Sequence, residues 1–205
     1  ESTARDSVLA DYFGPALTRA TDPAVGPWIV EEVLPSGNKL LKLSAVEALG
    51  SLKTPEAREP LEQLLHKERK KAQPDPHLVH EILRSLGQIG GSKEILLQAA
   101  SDPDWRYRLA TAEVLLLSAR DDLVLDAMRR LLKDEQPVVR ETAVIAAGKA
   151  KMEPLFDEMI LLMREGNLRA KKAAYEAMCA TSGQDYGYAP DVWANWLQEK
   201  KRGGL

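Results

Sequence analysis

Between Lys39 and Leu52 the chain reads KLLKLSAVEALGSL, with apolar or small side chains recurring at three- and four-residue steps. Nearly the same pattern returns at PVVRETAVIAAGKA, Pro137–Ala150. This is the period of a helix with one buried face, and two-residue alternation is nowhere sustained. Placing Gly148 under Gly50 aligns Ala143, Ala146 and Ala147 with Ala45, Ala48 and Leu49, and Val139-Arg140 with Leu41-Lys42. The same frame fits Leu78-Val79, Ile82 and Ser85-Leu86-Gly87. In weaker form it fits Tyr107-Arg108, Thr111 and Val114-Leu115-Leu116, then Ala170-Lys171, Ala174 and Ala177-Met178-Cys179. The equivalent positions 50, 87, 116, 148 and 179 lie 37, 29, 32 and 31 residues apart, about the length of one helical hairpin.

Between these segments lie second amphipathic stretches at 24–34, 55–71, 93–101, 122–134 and 153–165. In the fourth, Leu123, Leu125, Met128, Leu131 and Leu132 keep the helical period. Pro23, Pro55, Pro76, Pro103, Pro137 and Pro154 each stand near an expected helix start, where a missing N–H leaves no bond unmade. Gly90-Gly91 and Gly166-Asn167 read as turns, and AQPDPH, Ala72–His77, as the longest loop.

These residues resemble the HEAT-repeat family, whose units pair two antiparallel helices, the second reading apolar, basic, two variable residues, Ala, two variable, Ala, Leu, Gly. VVRETAVIAAG matches best, LKLSAVEALG and LVHEILRSLGQIG well, and the likeness spans roughly Pro23 to Gly183. The resemblance implies an all-α fold: a right-handed α-α superhelix, a HEAT-like solenoid of about five helical hairpins with capping helices at both ends. The expected division of this single domain is an N-terminal cap over 1–21, repeats over 22–183, and a C-terminal capping helix and tail over 184–205. TSGQDYGYAPDVWANWLQ, Thr181–Gln198, resembles the closing segment of many bacterial HEAT-like proteins, with Ser182 as an extra residue before the glycine. At the other end a helix near Asp6 to Ala20, interrupted by Gly14-Pro15, is expected to cap the array. Tyr12, Phe13 and Trp28 at one end, and Trp193 and Trp196 at the other, are the expected capping side chains, a ligand-binding aromatic pair being the alternative for the tryptophans.

Composition narrows the functions available. With 44% hydrophobic and 29% charged residues the chain should fold into a soluble protein. No apolar run approaches the roughly 20 residues of a membrane span, so no membrane insertion is expected. A net charge of −3 and pI near 5.7 argue against a dedicated nucleic-acid binder. The single cysteine, Cys179, rules out an internal disulfide framework or a thiolate metal cluster. The chain opens at Glu1 without a methionine, so a removed upstream segment is compatible with it. The expected compartment is the cytoplasm, with the periplasm or secretion left open.

Candidate chemistry is sparse. HEAT-like deoxyhypusine hydroxylases resemble the His80-Glu81 stretch and hold iron with His-Glu pairs on several inner helices. Here the corresponding positions are Leu43-Ser44, Leu109-Ala110, Glu141-Thr142 and Lys172-Ala173, so no metal site is expected. The resemblance to bilin lyases reaches only the generic repeat and carries over no catalytic residue. For HEAT-like DNA glycosylases, Asp104, Trp105, Arg106 and Arg108 could be cast as groove residues, but they also read as an Asp-capped helix start. Cys179, among small residues, reads as a buried structural thiol, and HKERKK, His66–Lys71, as a solvated basic helix end. Lys42, Arg108, Arg140 and Lys171 align into a ladder expected to bond loop carbonyls or Asp102, Asp104 and Asp134. Direct partner binding is the alternative. No catalytic, cofactor or metal residue is expected.

The charge map gives the remaining expectation. Counted over 38–52, 75–90, 102–119, 136–151 and 167–183, the segments taken as inner helices carry 11 Lys or Arg against 8 Asp or Glu; the outer ones, over 22–34, 54–71, 92–101, 121–134 and 152–165, carry 10 against 16. The inner face is relatively positive on an acidic protein, suited to an acidic partner. The positions expected to project there are Leu43 and Glu47, His80, Arg84 and Gln88, Leu109 and Glu113, Glu141, Ile145 and Lys149, and Lys172 and Glu176. The expected function is a non-enzymatic scaffold or adaptor binding a protein or peptide along this concave face. The alternative is a HEAT-like enzyme or nucleic-acid-acting protein with its site in the same groove.

Overall fold

Helix starts fall where prolines and short polar side chains place them. The protein's structure, a computed structural model, describes residues 12–118 and 121–203. All regular elements among the described residues are helical. Pro76 and Pro137 open inner helices directly, whereas Pro23, Pro55 and Pro154 form short 3-10 turns that lead into outer ones. The Oδ1 atoms of Asn38, Asp121 and Asn167 each accept the backbone N–H three residues on, at 3.1, 3.1 and 2.8 Å. These bonds satisfy donors that a helix start leaves orphaned.

The chain divides into two compact units, Glu1–Gln98 and Ala99–Leu205. The first holds α1 (12–18), α2 (Gly26–Trp28), α3 (Lys39–Ser51), α4 (Arg58–Arg69), α5 (Pro76–Ile89) and the bulk of α6 (Lys93–Ala99). Helices α3 and α5 lie side by side, α4 packs on α5, and the segment after α2 packs on α3. Ile29, Val46, Leu49, Leu61, Leu65, Ile82, Leu83 and Leu86 fill the core between these two layers. The first outer helix is wound unevenly, passing from a 3-10 turn at Pro23–Val25 through α2 into a π turn at Ile29–Val33.

The N-terminal end departs from expectation in two respects. Residues 12–18 are helical straight through Gly14-Pro15, where an interruption was expected; proline's fixed φ is itself helical and removes only one bond. The expected helix before residue 12 lies outside the described residues. Tyr12, Phe13 and Trp28 are exposed rather than buried in a cap, whereas Leu17, Ile29 and Val33 are buried.

The second unit holds α7 (Trp105–Ser118), α8 (Asp122–Leu131), α9 (Pro137–Lys149), α10 (Phe156–Glu165), α11 (Leu168–Ser182) and α12 (Pro190–Lys201). One layer runs α7, α9, α11; in the other, α8 packs on α7 and α9, α10 on α11, and α12 on α10. The C-terminal cap is aromatic, as expected. Trp193 is fully buried, its Nε1–H donates to the Gly187 carbonyl at 2.9 Å, and its ring meets Tyr186 and Trp196 edge-on. Phe156 and the Lys200 ammonium complete the wall around Trp196.

Two inner-helix seams, α3–α5 and α9–α11, close on a glycine at the same repeat position. A Cβ built on Gly50 would stand 2.8 Å from Ser85 Cα, and one on Gly148 would stand 2.8 Å from Ala177 Cα. Ser85 and Ala177 are themselves equivalent, each two residues before the next repeat's aligned position. Ala143 and Ala147 are fully buried in the same seam, and Ser85 Oγ donates to the Val46 carbonyl at 2.8 Å across α3 and α5. Alanine in mid-helix is favoured over glycine by roughly 0.5–1 kcal/mol, but overpacking against backbone costs about 1–3 kcal/mol. Gly148→Ala and Gly50→Ala should therefore each destabilise by about 1–2 kcal/mol in urea unfolding, while Gly37→Ala, with open space around it, stays within roughly 0.5 kcal/mol of wild type. A neutral Gly148→Ala would show that α9 and α11 can separate freely.

Candidate protein-interaction face

The expected inner-face residues fall on the expected helices but not into one kind of environment. In the first unit Leu43 and Glu47 on α3, and His80, Arg84 and Gln88 on α5, are half-buried. Arg84 Nη1 donates to Glu81 Oε1 at 3.1 Å, and His80 Nδ1 stands 3.7 Å from the same oxygen. Burial works against charge on Glu81, but the bonds from His80 and Arg84 outweigh it and hold its carboxyl below the usual range. His80 thus serves a neighbouring carboxylate. Among the described residues no three His, Cys, Asp or Glu side chains gather as a metal site would require. Gln88 leans against the seam: a Cβ on Gly50 would meet its Oε1 at 2.6 Å.

In the second unit α7 and α9 leave a shallow groove between them, of ≈ 300 Å³, lined by Glu113, Thr142, Ile145, Ala146 and Lys149. Three of the twelve expected residues meet there. Ile145 is 46% exposed, one of several large apolar side chains that reach the surface, Leu117 on α7 among them. Leu109 stands on the same helix as Glu113 and is half-buried. Glu141 is engaged by the next repeat, accepting from Asn167 Nδ2 at 3.0 Å. Lys172 and Glu176 face each other at 3.6 Å on α11, both more than half exposed, an arrangement worth little in water.

The aligned arginines have a different job. Arg108 Nη1 donates to the carbonyls of Asp102 and Pro103, six and five residues back, at 2.8 and 3.1 Å. Arg140 Nη1 repeats this on Asp134 and Glu135 at 2.5 and 3.1 Å, with the same offsets. Arg108 also forks onto the Asp134 carboxylate, Nε to Oδ2 at 2.6 Å and Nη2 to Oδ1 at 2.9 Å. Each loop is pinned by its own repeat's arginine, and one repeat is tied to the next through Asp134. Asp104 pairs with Arg106 and accepts its backbone N–H at 3.0 Å, so DPDWRYR is a capped helix start.

Equal offsets at two repeat positions, for glycines and arginines alike, call for comparison with known repeat architectures. The sequence model for HEAT repeats matches residues 26–115 and 93–179. The chain is a HEAT-repeat protein. No curated protein matches it.

In this HEAT-repeat protein the residues missed from sequence lie outside the periodic frame. Tyr175 on α11 donates its hydroxyl to Asp185 Oδ1 at 2.8 Å, and its ring stacks on Tyr188 with centroids 4.1 Å apart. Both partners sit in the loop before α12, whose aromatic and glycine content was the available signal. Cys179 stands one turn from Tyr175, and burial pushes its thiol up, unlike a nucleophile. The basic run 66–71 is not simply solvated: Glu68 is buried, bonded by Lys71 Nζ, and accepts the Asp75 N–H at 3.2 Å, fastening the end of α4 to the following loop. No helix among the described residues is long and apolar enough to cross a membrane.

Burial raises the Asp134 carboxyl, but Arg108, the Gln136 N–H and the charge of Arg140 hold it below the ordinary aspartate range. A carboxyl lowered by folding contributes stability that is complete above its unfolded value of about 3.9 and is lost as pH falls through the lower folded value. Arg108→Met should remove roughly 2 kcal/mol at pH 7 and flatten the acid limb of stability below about pH 4. Urea unfolding across pH 2–7 checks both, and an unchanged acid limb would place that dependence on other carboxyls.

Proposed function

We propose that this protein is a non-enzymatic scaffold or adaptor that takes a protein or peptide segment on the inner-helix face of its repeats. HEAT repeats generally mediate protein–protein interaction. The observation that carries the reading here is the groove between α7 and α9, with Ile145 and Ala146 as its apolar floor and Lys149 at its edge. Other polar side chains of the second unit's inner layer serve the fold: Glu141 is bonded to Asn167, and Arg108 and Arg140 hold loops. The groove suits a partner presenting an apolar side chain over Ile145 and a carboxylate toward Lys149. Because helix packing on both sides presets this surface, little ordering is required on binding.

The test is capture from cell extract on the immobilised full chain, followed by affinity measurement with the purified partner. Ile145→Asp combined with Lys149→Glu should weaken binding about 30-fold, as loss of a roughly 2 kcal/mol hot spot would. Leu123→Asp, at a side chain no less exposed but on outer helix α8, should leave it unchanged. A partner retained at full affinity by the inner-face variant would overturn the reading, provided both variants melt at the wild-type temperature.

A further inference from the structure

The loop between α11 and α12 is held with unusual thoroughness for an exposed turn. Gly183 and Gly187 adopt left-handed backbone, φ 72° and 63°, which only glycine takes without strain. The Gly183 N–H donates to the Cys179 carbonyl at 2.9 Å, the Gln184 N–H to Ser182 Oγ at 3.1 Å, and the Gly187 N–H to Asp185 Oδ1 at 2.9 Å. The Gly187 carbonyl in turn takes the buried Trp193 indole N–H.

This fixed loop presents a specific pair of groups. Tyr188 is 60% exposed, one side of its ring against Tyr175 and the rest open to solvent. Asp185 accepts both of its hydrogen bonds on Oδ1, which leaves Oδ2 as an exposed acceptor. Those two bonds hold its carboxyl below the usual range, so it is anionic at neutral pH. The hydrogen bond from Tyr175 to that anion also enriches the Tyr175 ring in electron density. A rigid aromatic face beside a fixed carboxylate oxygen matches a guanidinium, which stacks through its plane while its edge donates to the carboxylate. An ammonium can meet both groups, as Lys200 does between Trp196 and Glu153, but only as a point charge with no plane to stack on the ring. The nearest cation on α11, Lys172, is directed to Glu176.

We propose that Tyr175, Tyr188 and Asp185 form a preorganised platform for an arginine side chain of a protein partner. The site rests on the reading of the chain as a protein-interaction module, but it is separate from the α7–α9 groove and opposite in charge preference to Lys149.

The full chain, labelled for NMR, is titrated with three acetylated and amidated tripeptides, Gly-Arg-Gly, Gly-Lys-Gly and the citrulline analogue of the first. Saturable shifts centred on Asp185, Gly187 and Tyr188 are expected with the arginine peptide, at about tenfold higher affinity than with citrulline and with lysine between them. Tyr188→Ala should reduce the arginine response to the citrulline level, and Tyr188→Phe should retain it; an unmoved Trp193 indole resonance certifies the loop in each. Equal responses to arginine and citrulline, no saturable shift up to about 10 mM peptide, or persistence of binding in Tyr188→Ala would overturn the proposal. The arginine-to-citrulline comparison uses wild-type protein alone and decides the matter even if a variant disturbs the loop. Failure here would leave the α7–α9 groove untouched, because none of its residues takes part, and capture lost on changing Ile145 and Lys149 would not affect the peptide result.

Discussion

Where Gly50 and Gly148 stand, two neighbouring inner helices approach so closely that only a very small residue fits between them. At Gly50 and Gly148 the neighbouring backbone comes within 2.8 Å of where a Cβ would be, so the seam admits hydrogen alone. Much else follows from that distance. It brings Ser85 Oγ onto the Val46 carbonyl, encloses Ala143 and Ala147, and sets how far apart the side chains on the outer rim of the layer must emerge. Between α7 and α9, where the position aligned with those glycines is Leu116, the layer is left with the shallow groove beside Ile145 and Lys149.

The two arginines answer a different problem, the free carbonyls of the loops that precede α7 and α9. Arg108 and Arg140 bond carbonyls at identical offsets, and Asp134 joins one repeat to the following one. Guanidinium suits this role better than ammonium because a planar fork can serve a carboxylate and two carbonyls together. The consequence for function is subtractive. Cations that looked available for a partner are engaged within the fold, and the relatively positive inner segments present less free positive charge than their composition suggests.

How much of this was legible in the sequence differs from residue to residue for physical reasons. The frame that aligned Gly50 with Gly148 and Arg108 with Arg140 was readable because both pairs answer to local geometry that repeats with the hairpin. The groove was only partly readable: helical spacing marked Glu113, Ile145 and Lys149, but whether such side chains stand free depends on a neighbouring helix. Gln88, the counterpart of Lys149, instead rests against Gly50. Glu68 was hidden because charge in a basic run says nothing of burial, and its partner, the Asp75 N–H, lies in a loop with no periodicity. Tyr12, Phe13 and Trp28 misled for the opposite reason, since large aromatic side chains near a chain end resemble a cap whether or not the packing takes them in.

At the C-terminal end Trp193, Trp196, Tyr186 and Phe156 form a closed aromatic wall, and the loop feeding it is fixed by two left-handed glycines and the Tyr175–Asp185 bond. Rigidity there has a use beyond closing the core, because a surface that is already ordered gives up little entropy on binding. Tyr188 is held by stacking and Asp185 by its own loop, so neither has to be immobilised by a partner. In the α7–α9 groove the helices supply the same preorganisation. A partner that carried a carboxylate for Lys149 and a guanidinium for Asp185 would meet opposite charges at two fixed points of one unit. That is a stronger constraint on orientation than either contact alone, since the reversed arrangement sets like charges together.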